Sequence, residues 1–176
     1  MLLLSNVHTG YRFFTAFRMT CFVSYYMLFI SSMHYPVSSL SDTQKIATDL
    51  AHLLSEKPFF VVLFYGTLAS GKTTTIQMIG KELGITEPMQ SPTYTTIRSY
   101  DLPGGHVLHH IDLYRMETLD DTLGTGLLDM LNEKKGIFLI EWPETIEGFI
   151  EEYVPEEFVK RVRIELEGDE RNVIVE

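Results

Sequence analysis

Cysteine is almost missing from this chain: Cys21 is the only one in 176 residues. No internal disulfide can form and no thiolate cluster can hold a metal, which suits a reducing compartment. Positive charge is scarce as well. Lys and Arg number 14 against 24 Asp and Glu, a formal charge of −10. A surface of that sign repels a phosphate backbone and argues against charge-driven binding of nucleic acid, so any link to nucleic acid runs through a partner. The six His residues show no zinc-type spacing, and there is no internal repeat or low-complexity tract.

Acidic residues are wholly lacking from positions 1–41, where Arg12 and Arg18 are the only formally charged side chains. The apolar M27-L-F-I30 raises a signal peptide or a membrane segment, and the Arg-bearing, Ser-containing, acid-free composition raises an organellar transit peptide. Thr20, Ser24, Ser31, Ser32, His34 and Pro36 break the apolarity, and a convincing span needs roughly 18 strongly apolar residues. The expectation is a leader over 1–35, disordered or not part of the fold, ahead of a single domain over 36–176, with no membrane association. The expected location is the cytoplasm, or an organelle if the leader is a transit peptide.

Ser41 and Gln44 have capping-box spacing, and Ile46, Ala47, Leu50, Ala51, Leu53 and Leu54 recur at helical intervals, predicting a helix over 42–55. The uninterrupted F59-F-V-V-L-F64 predicts a strand over 59–65 covered on both faces, as in a parallel sheet. A helix over 72–83 stops at Gly84. Residues 91–100 and 106–114 predict two strands of an antiparallel hairpin turning at L102-P-G-G105. A helical stretch over 117–133 breaks at Gly124 and Gly126, and G136-I-F-L-I-E141 is a buried strand. Residues 141–157 hold seven acids and no base, and predict a solvated helix or loop. Residues 159–166 alternate as a strand, with 172–175 pairing to it across a turn at Gly168-Asp169. The class is α/β: one P-loop NTPase-type domain with a central mixed sheet flanked by helices.

Between the first strand and the next helix lies G66-T-L-A-S-G-K-T-T74, which matches the phosphate-loop pattern G-x-x-x-x-G-K-T. Gly66 and Gly71 let the backbone N–H groups of Thr67, Leu68, Ala69 and Ser70 curl toward phosphate oxygens, and the helix behind presents its positive end. Lys72 reaches the β- and γ-phosphates, the Thr73 hydroxyl ligates Mg²⁺, and Thr74 continues the cradle. The ligand expected is a nucleoside triphosphate with Mg²⁺.

Two acids at strand ends are candidates for the chemistry. I137-F-L-I-E141 is a Walker B pattern that delivers Glu141 to the ligand-binding end of the sheet. In H110-I-D-L-Y-R115, Asp112 sits within a hydrophobic strand and shares a face with His110 and Tyr114. A strand-embedded Asp needs a cation, a water to position, or a salt bridge to Arg115 or another base, and the residues alone leave these open. Ser91 and Thr93 of S91-P-T93 are candidates for a switch that senses the γ-phosphate. His109 and His110 are expected to divide between surface and core.

Taken in order, G66-T-L-A-S-G-K-T-T74, S91-P-T-Y-T95, H110-I-D-L-Y-R115 and I140-E-W-P143 resemble the TsaE family of bacterial threonylcarbamoyladenosine synthesis. The likeness covers residues 38–176. It implies an ATPase, weak alone and stimulated by partners, with catalytic residues Lys72, Asp112 and Glu141. It further implies Mg²⁺ on Thr73 and Glu141, Trp142 beside the nucleotide, and Thr43 near the adenine. The implied partners are a TsaD-like threonylcarbamoyl transferase and a TsaB-like subunit, with tRNA met only indirectly. ATP hydrolysis would reset the complex that modifies the adenosine beside the tRNA anticodon. The family loop is usually G-D-L-G-A-G-K-T; here Thr67, Ala69 and Ser70 replace three of its residues, which bears on the rate of hydrolysis.

Three rival readings compete. A small-molecule P-loop kinase would carry a mobile lid with arginines, yet after Arg115 the next bases are Lys134 and Lys135. A GTP switch would carry N-K-x-D, which Asn132-Glu133-Lys134-Lys135 does not match. An ATP-dependent scaffold with little turnover would need the same residues as an ATPase.

Overall fold

The computed structural model describes residues 32–168 and 170–176. The predicted leader 1–35, including Cys21 and the apolar 27–30, lies mostly outside them, as does Asp169 of the predicted turn. Seven strands form one sheet: β1 Met33–Val37, β2 Phe59–Gly66, β3 Ile97–Asp101, β4 Val107–Asp112, β5 Gly136–Glu141, β6 Val159–Glu167 and β7 Glu170–Val175. Among the described residues five α-helices accompany them: α1 Leu40–Leu54, α2 Lys72–Glu82, α3 Leu119–Leu123, α4 Leu127–Asn132 and α5 Glu147–Tyr153.

The strand order is β1-β7-β6-β2-β5-β4-β3. The centre is parallel, with β2 between β6 and β5, and β5 beside β4. Both margins are antiparallel, β3 on β4 and the pair β1 and β7 beyond β6. The mixed sheet follows from the chain's spacing. Tight turns at 102–106 and around Gly168 permit only antiparallel hairpins, whereas the long helical crossovers return strands in parallel.

Strand β2 is the axis of the core, with seven of its eight residues buried, as the unbroken apolar run predicts. Its even-numbered residues, Phe60, Val62 and Phe64, pack with Leu108 and Leu139 under α1 and α2. The odd-numbered Phe59, Val61, Leu63 and Tyr65 pack with Ile111, Phe138 and Ile140 under α4 and α5. Period-two alternation thus serves two apolar layers at once. Phe64 is fully buried, and truncating such a side chain to Ala costs about 3–5 kcal/mol.

Several boundaries differ from the sequence reading. The sheet starts at Met33, so 33–35, placed with the leader, are strand residues whose register runs Met33↔Val175 to Val37↔Arg171. Pro36 masks this strand in the sequence, and it is tolerated because β1 is an edge. Helix α1 is capped by Ser39 with Asp42 rather than by Ser41 with Gln44. The Asp42 carboxylate accepts from the Ser38 and Ser39 amides at 3.1 and 2.9 Å, while Gln44 donates to Glu82 at 3.0 Å.

Residues 91–96 are turn rather than strand. The amides of Thr95 and Thr96 both donate to the Pro92 carbonyl, at 2.9 and 2.7 Å, and Thr96 has φ 65°. The acidic 141–157 is more tightly fastened than a solvated segment. Ile146, Ile150 and Val154 are buried, Glu147 accepts from the Tyr65 hydroxyl at 2.6 Å, and Glu151 and Glu156 pair with Arg161.

Candidate functional site

The C-terminal ends of β2, β4 and β5 lie side by side, and the polar residues singled out by the sequence gather there. The loop after β2 has a conformation few sequences adopt. Gly66 has φ 145°, and a Cβ on it would stand 2.7 Å from both the Ile164 carbonyl oxygen and Ser70 Oγ. No larger residue fits without moving the β6 backbone. Gly71 has φ 110° and supplies the left-handed N-cap of α2, which no side chain caps. The first amides of α2 and the positive end of its dipole are therefore open to an anion. Ala69 takes φ 63° where the family pattern has glycine, a strained conformation for a residue with a Cβ.

Lys72 is 4 % exposed. Its ammonium donates to the Gly66 and Thr67 carbonyls at 2.7 and 3.0 Å and lies 3.8 Å from the ring centroid of Trp142. Burial lowers its pKa below the ordinary lysine value, opposed by the negative charges of Glu141, Asp112 and Glu144. Trp142 itself has φ 56° and its ring meets Tyr114 at 4.9 Å.

Glu141, 3 % exposed at the end of β5, accepts from the Thr73 hydroxyl at 2.8 and 3.0 Å. A hydroxyl whose proton is directed at a carboxylate keeps its lone pairs for a hard cation. Asp112 is the last residue of β4 rather than a mid-strand residue, and Tyr114 lies past the strand, half exposed. Asp112 accepts from Thr93 Oγ1 at 2.6 Å and from the Tyr114 amide at 3.0 Å. Ser91 Oγ is 2.6 Å from Thr93 Oγ1, so the 91–96 turn is tied to Asp112 through hydroxyls. The alternative of a salt bridge to Arg115 does not hold: that guanidinium stacks on Tyr94, 4.5 Å from its centroid.

Leu68, Ala69, Ser70, Gly71, Lys72, Thr73, Thr74, Thr93, Asp112, Glu141 and Trp142 all line one cavity of about 250 Å³, with Tyr114. Gly66 and Thr67 form its root through their carbonyls on Lys72. Thr43 stands apart, in a second cavity of about 170 Å³ on the other side of the loop, shared with Ala69, Ser70, Gly71 and Thr74 and walled by Val37, Leu40, Ile164 and Val173. The loop therefore separates a carboxylate-lined hollow from one that holds no carboxylate and has Arg171 in its wall. Among the described residues no group of three or more His, Cys, Asp or Glu is placed to hold a metal alone. Any cation here would share its ligands with a bound anion.

Sequence reasoning missed one member of the site. His110 is completely buried, and its Nε2 lies 2.8 Å from Glu141 Oε1. Its period-two relation to Asp112 was the available signal.

The model of the Threonylcarbamoyl adenosine biosynthesis protein TsaE family matches residues 37–173. The chain belongs to the TsaE family. Among similar proteins, the tRNA threonylcarbamoyladenosine biosynthesis protein TsaE of Bacillus subtilis is 38 % identical over 117 residues, 66 % of this chain and 69 % of that one. The protein of the same name from Haemophilus influenzae is 34 % identical over 136 residues, 77 % of this chain and 81 % of its own. The crystal structure of Bacillus subtilis YdiB superposes with a TM-score of 0.55 at 29 % identity, covering 82 % of this chain and 84 % of that one. The TsaE match spans every landmark of the site, and the mixed α/β fold agrees with that of the solved relative. Membership places the chain in tRNA threonylcarbamoyladenosine biosynthesis. No described helix is long and apolar enough to cross a membrane.

Proposed function

We propose that this chain binds ATP with Mg²⁺ and hydrolyses it to cycle the complex that makes threonylcarbamoyladenosine in tRNA. One observation carries the reading: Lys72, Thr73, Glu141 and Asp112, drawn from two strand ends and one helix, line a single cavity beneath an uncapped helix N-terminus. A triphosphate would lie across the amides of 67–73 with Lys72 moving from the loop carbonyls to its β- and γ-oxygens. The oxygen donors of Thr73 and Glu141 fit Mg²⁺, which prefers hard oxygen ligands and tolerates shared ones. When bound, the ion neutralises charge on the phosphates. Asp112 then orients or deprotonates the attacking water, and Thr93, hydrogen-bonded to it, links the 91–96 turn to the state of the γ-phosphate. The adenine would lie in the hollow beside Thr43, against Val37, Leu40 and Val173, and Trp142 would flank the phosphates.

Partners of the TsaD and TsaB type fit the family, and the acidic charge supports contact with tRNA only through them. A cytoplasmic location accords with this role. The test is ATP turnover by the full chain with Mg²⁺, alone and with cognate TsaD-like and TsaB-like proteins. Low turnover alone that rises with the partners is expected. Turnover indifferent to them, with phosphate transfer to a small metabolite instead, would replace this reading with a kinase.

A further inference from the structure

We propose that His110 is a positioning residue for Glu141, holding the carboxylate in the orientation from which it meets the cation; this rests on the Mg²⁺·ATP reading above. Glu141 is buried, and its only side-chain hydrogen bonds among the described residues come from the Thr73 hydroxyl and the His110 imidazole. A carboxylate that only accepts makes Nε2 of His110 the donor. Oε1 receives both the imidazole at 2.8 Å and the hydroxyl at 2.8 Å, whereas Oε2 receives the hydroxyl alone, at 3.0 Å. His110 therefore engages one oxygen and leaves the other with more of its lone pairs free. The bond also crosses from β4 to β5, the two strands that end in Asp112 and Glu141.

Packing does not explain a histidine at this position. The same sheet face is filled by Phe64, Leu108 and Leu139, and a leucine would continue it. Instead the imidazole buries Nδ1 without a hydrogen-bond partner, beside the register partner Arg98, whose Nε is buried and unpartnered too. Unpartnered buried polar atoms destabilise a fold. Groups that orient a ligating carboxylate justify such a cost, since their loss lowers metal affinity or activity by about 10–100-fold.

The test compares wild type with His110→Leu, His110→Gln and His110→Asn. ATP affinity is measured in EDTA, and the Mg²⁺ dependence is then titrated by the emission of Trp142, the only tryptophan. His110→Leu should weaken apparent Mg²⁺ affinity by on the order of 10–100-fold and leave ATP affinity in EDTA within about 2-fold. His110→Gln, whose amide nitrogen reaches the Nε2 position, should restore Mg²⁺ affinity to within about 3-fold, and His110→Asn, which reaches only Nδ1, should not. If His110→Leu does not fold, the Gln and Asn pair carries the comparison. A wild-type Mg²⁺ titration in His110→Leu or His110→Asn would overturn the inference alone. Equal losses in EDTA and in Mg²⁺ for all variants would overturn it as general damage. Absence of any ATP or Mg²⁺ response in the wild type would overturn the functional reading and this inference together.

Discussion

Asp112 and Glu141 are cross-strand partners, each the final residue of its strand, in the parallel register of β4 and β5. Two neighbouring carboxylates repel unless a cation stands before them, and both of them stabilise the charge of Lys72. Their hydrogen bonds nevertheless differ. Glu141 is joined to Thr73 at the start of α2, while Asp112 is joined to Thr93 in the 91–96 turn. One carboxylate faces the phosphate loop and the other the 91–96 turn.

That difference separates their roles. Asp112→Asn retains an acceptor for Thr93 and should leave Mg²⁺·ATP affinity nearly unchanged while lowering turnover by on the order of 100-fold or more, the scale of a lost base or water-orienting group. Equilibrium binding and steady-state hydrolysis measured side by side check this. Full turnover in the variant would remove Asp112 from the chemistry.

Lys72→Ala should weaken ATP binding by on the order of 10–100-fold, since hydrogen bonds to a charged group contribute about 1.5–3 kcal/mol. Because the Lys72 ammonium lies over the Trp142 ring, ATP should change Trp142 emission in the wild type as the ammonium leaves for phosphate. Lys72→Ala should alter the starting emission and lose the response.

Alkaline stability follows from the same lysine. Burial holds its pKa below the ordinary 10.5, so the folded protein releases this proton at a pH where the unfolded chain still keeps it. Between those two values the unfolded state binds more protons, and Lys72's contribution to stability rises with pH. Lys72→Met should flatten that rise. Thermal melts of both proteins across the alkaline range up to 10.5, without nucleotide, measure the difference.

Gly66→Ala should be far more damaging than its size suggests. The added methyl would meet the Ile164 backbone oxygen and Ser70 Oγ, each at 2.7 Å, at φ 145°. Loss of ATP binding with the far-UV spectrum preserved is expected. At the other end of the scale, Ser39→Ala removes the α1 cap and should cost about 1 kcal/mol, lowering the melting temperature by about 2–4 °C.

Much of this arrangement was legible from local pattern. The apolar run of β2, the glycine loop and the I137-F-L-I-E141 strand carry their geometry in consecutive residues, so the phosphate loop and Glu141 emerge where the pattern puts them. What was not legible depends on distant partners. Strand β1 exists because β7 offers Met33–Val37 an edge to pair with, and Pro36 erases its local signal. The 91–96 segment has strand-like Thr and Tyr, but Pro92 closes a turn and hands Thr93 to Asp112. The acids of 141–157 look solvated until Tyr65 and Arg161 are seen to receive them. The sequence only divides His109 and His110 between surface and core, because nothing in it states that β4 and β5 are neighbours.

Hydrolysis of ATP by the full chain with Mg²⁺, with and without its TsaD-like and TsaB-like partners, probes the site most directly, with Asp112→Asn run in parallel. Turnover that rises on adding both partners and vanishes in Asp112→Asn, at unchanged ATP affinity, is the predicted result. Turnover absent from the wild type under every condition, or equal in the two proteins, would contradict an ATPase built on these residues.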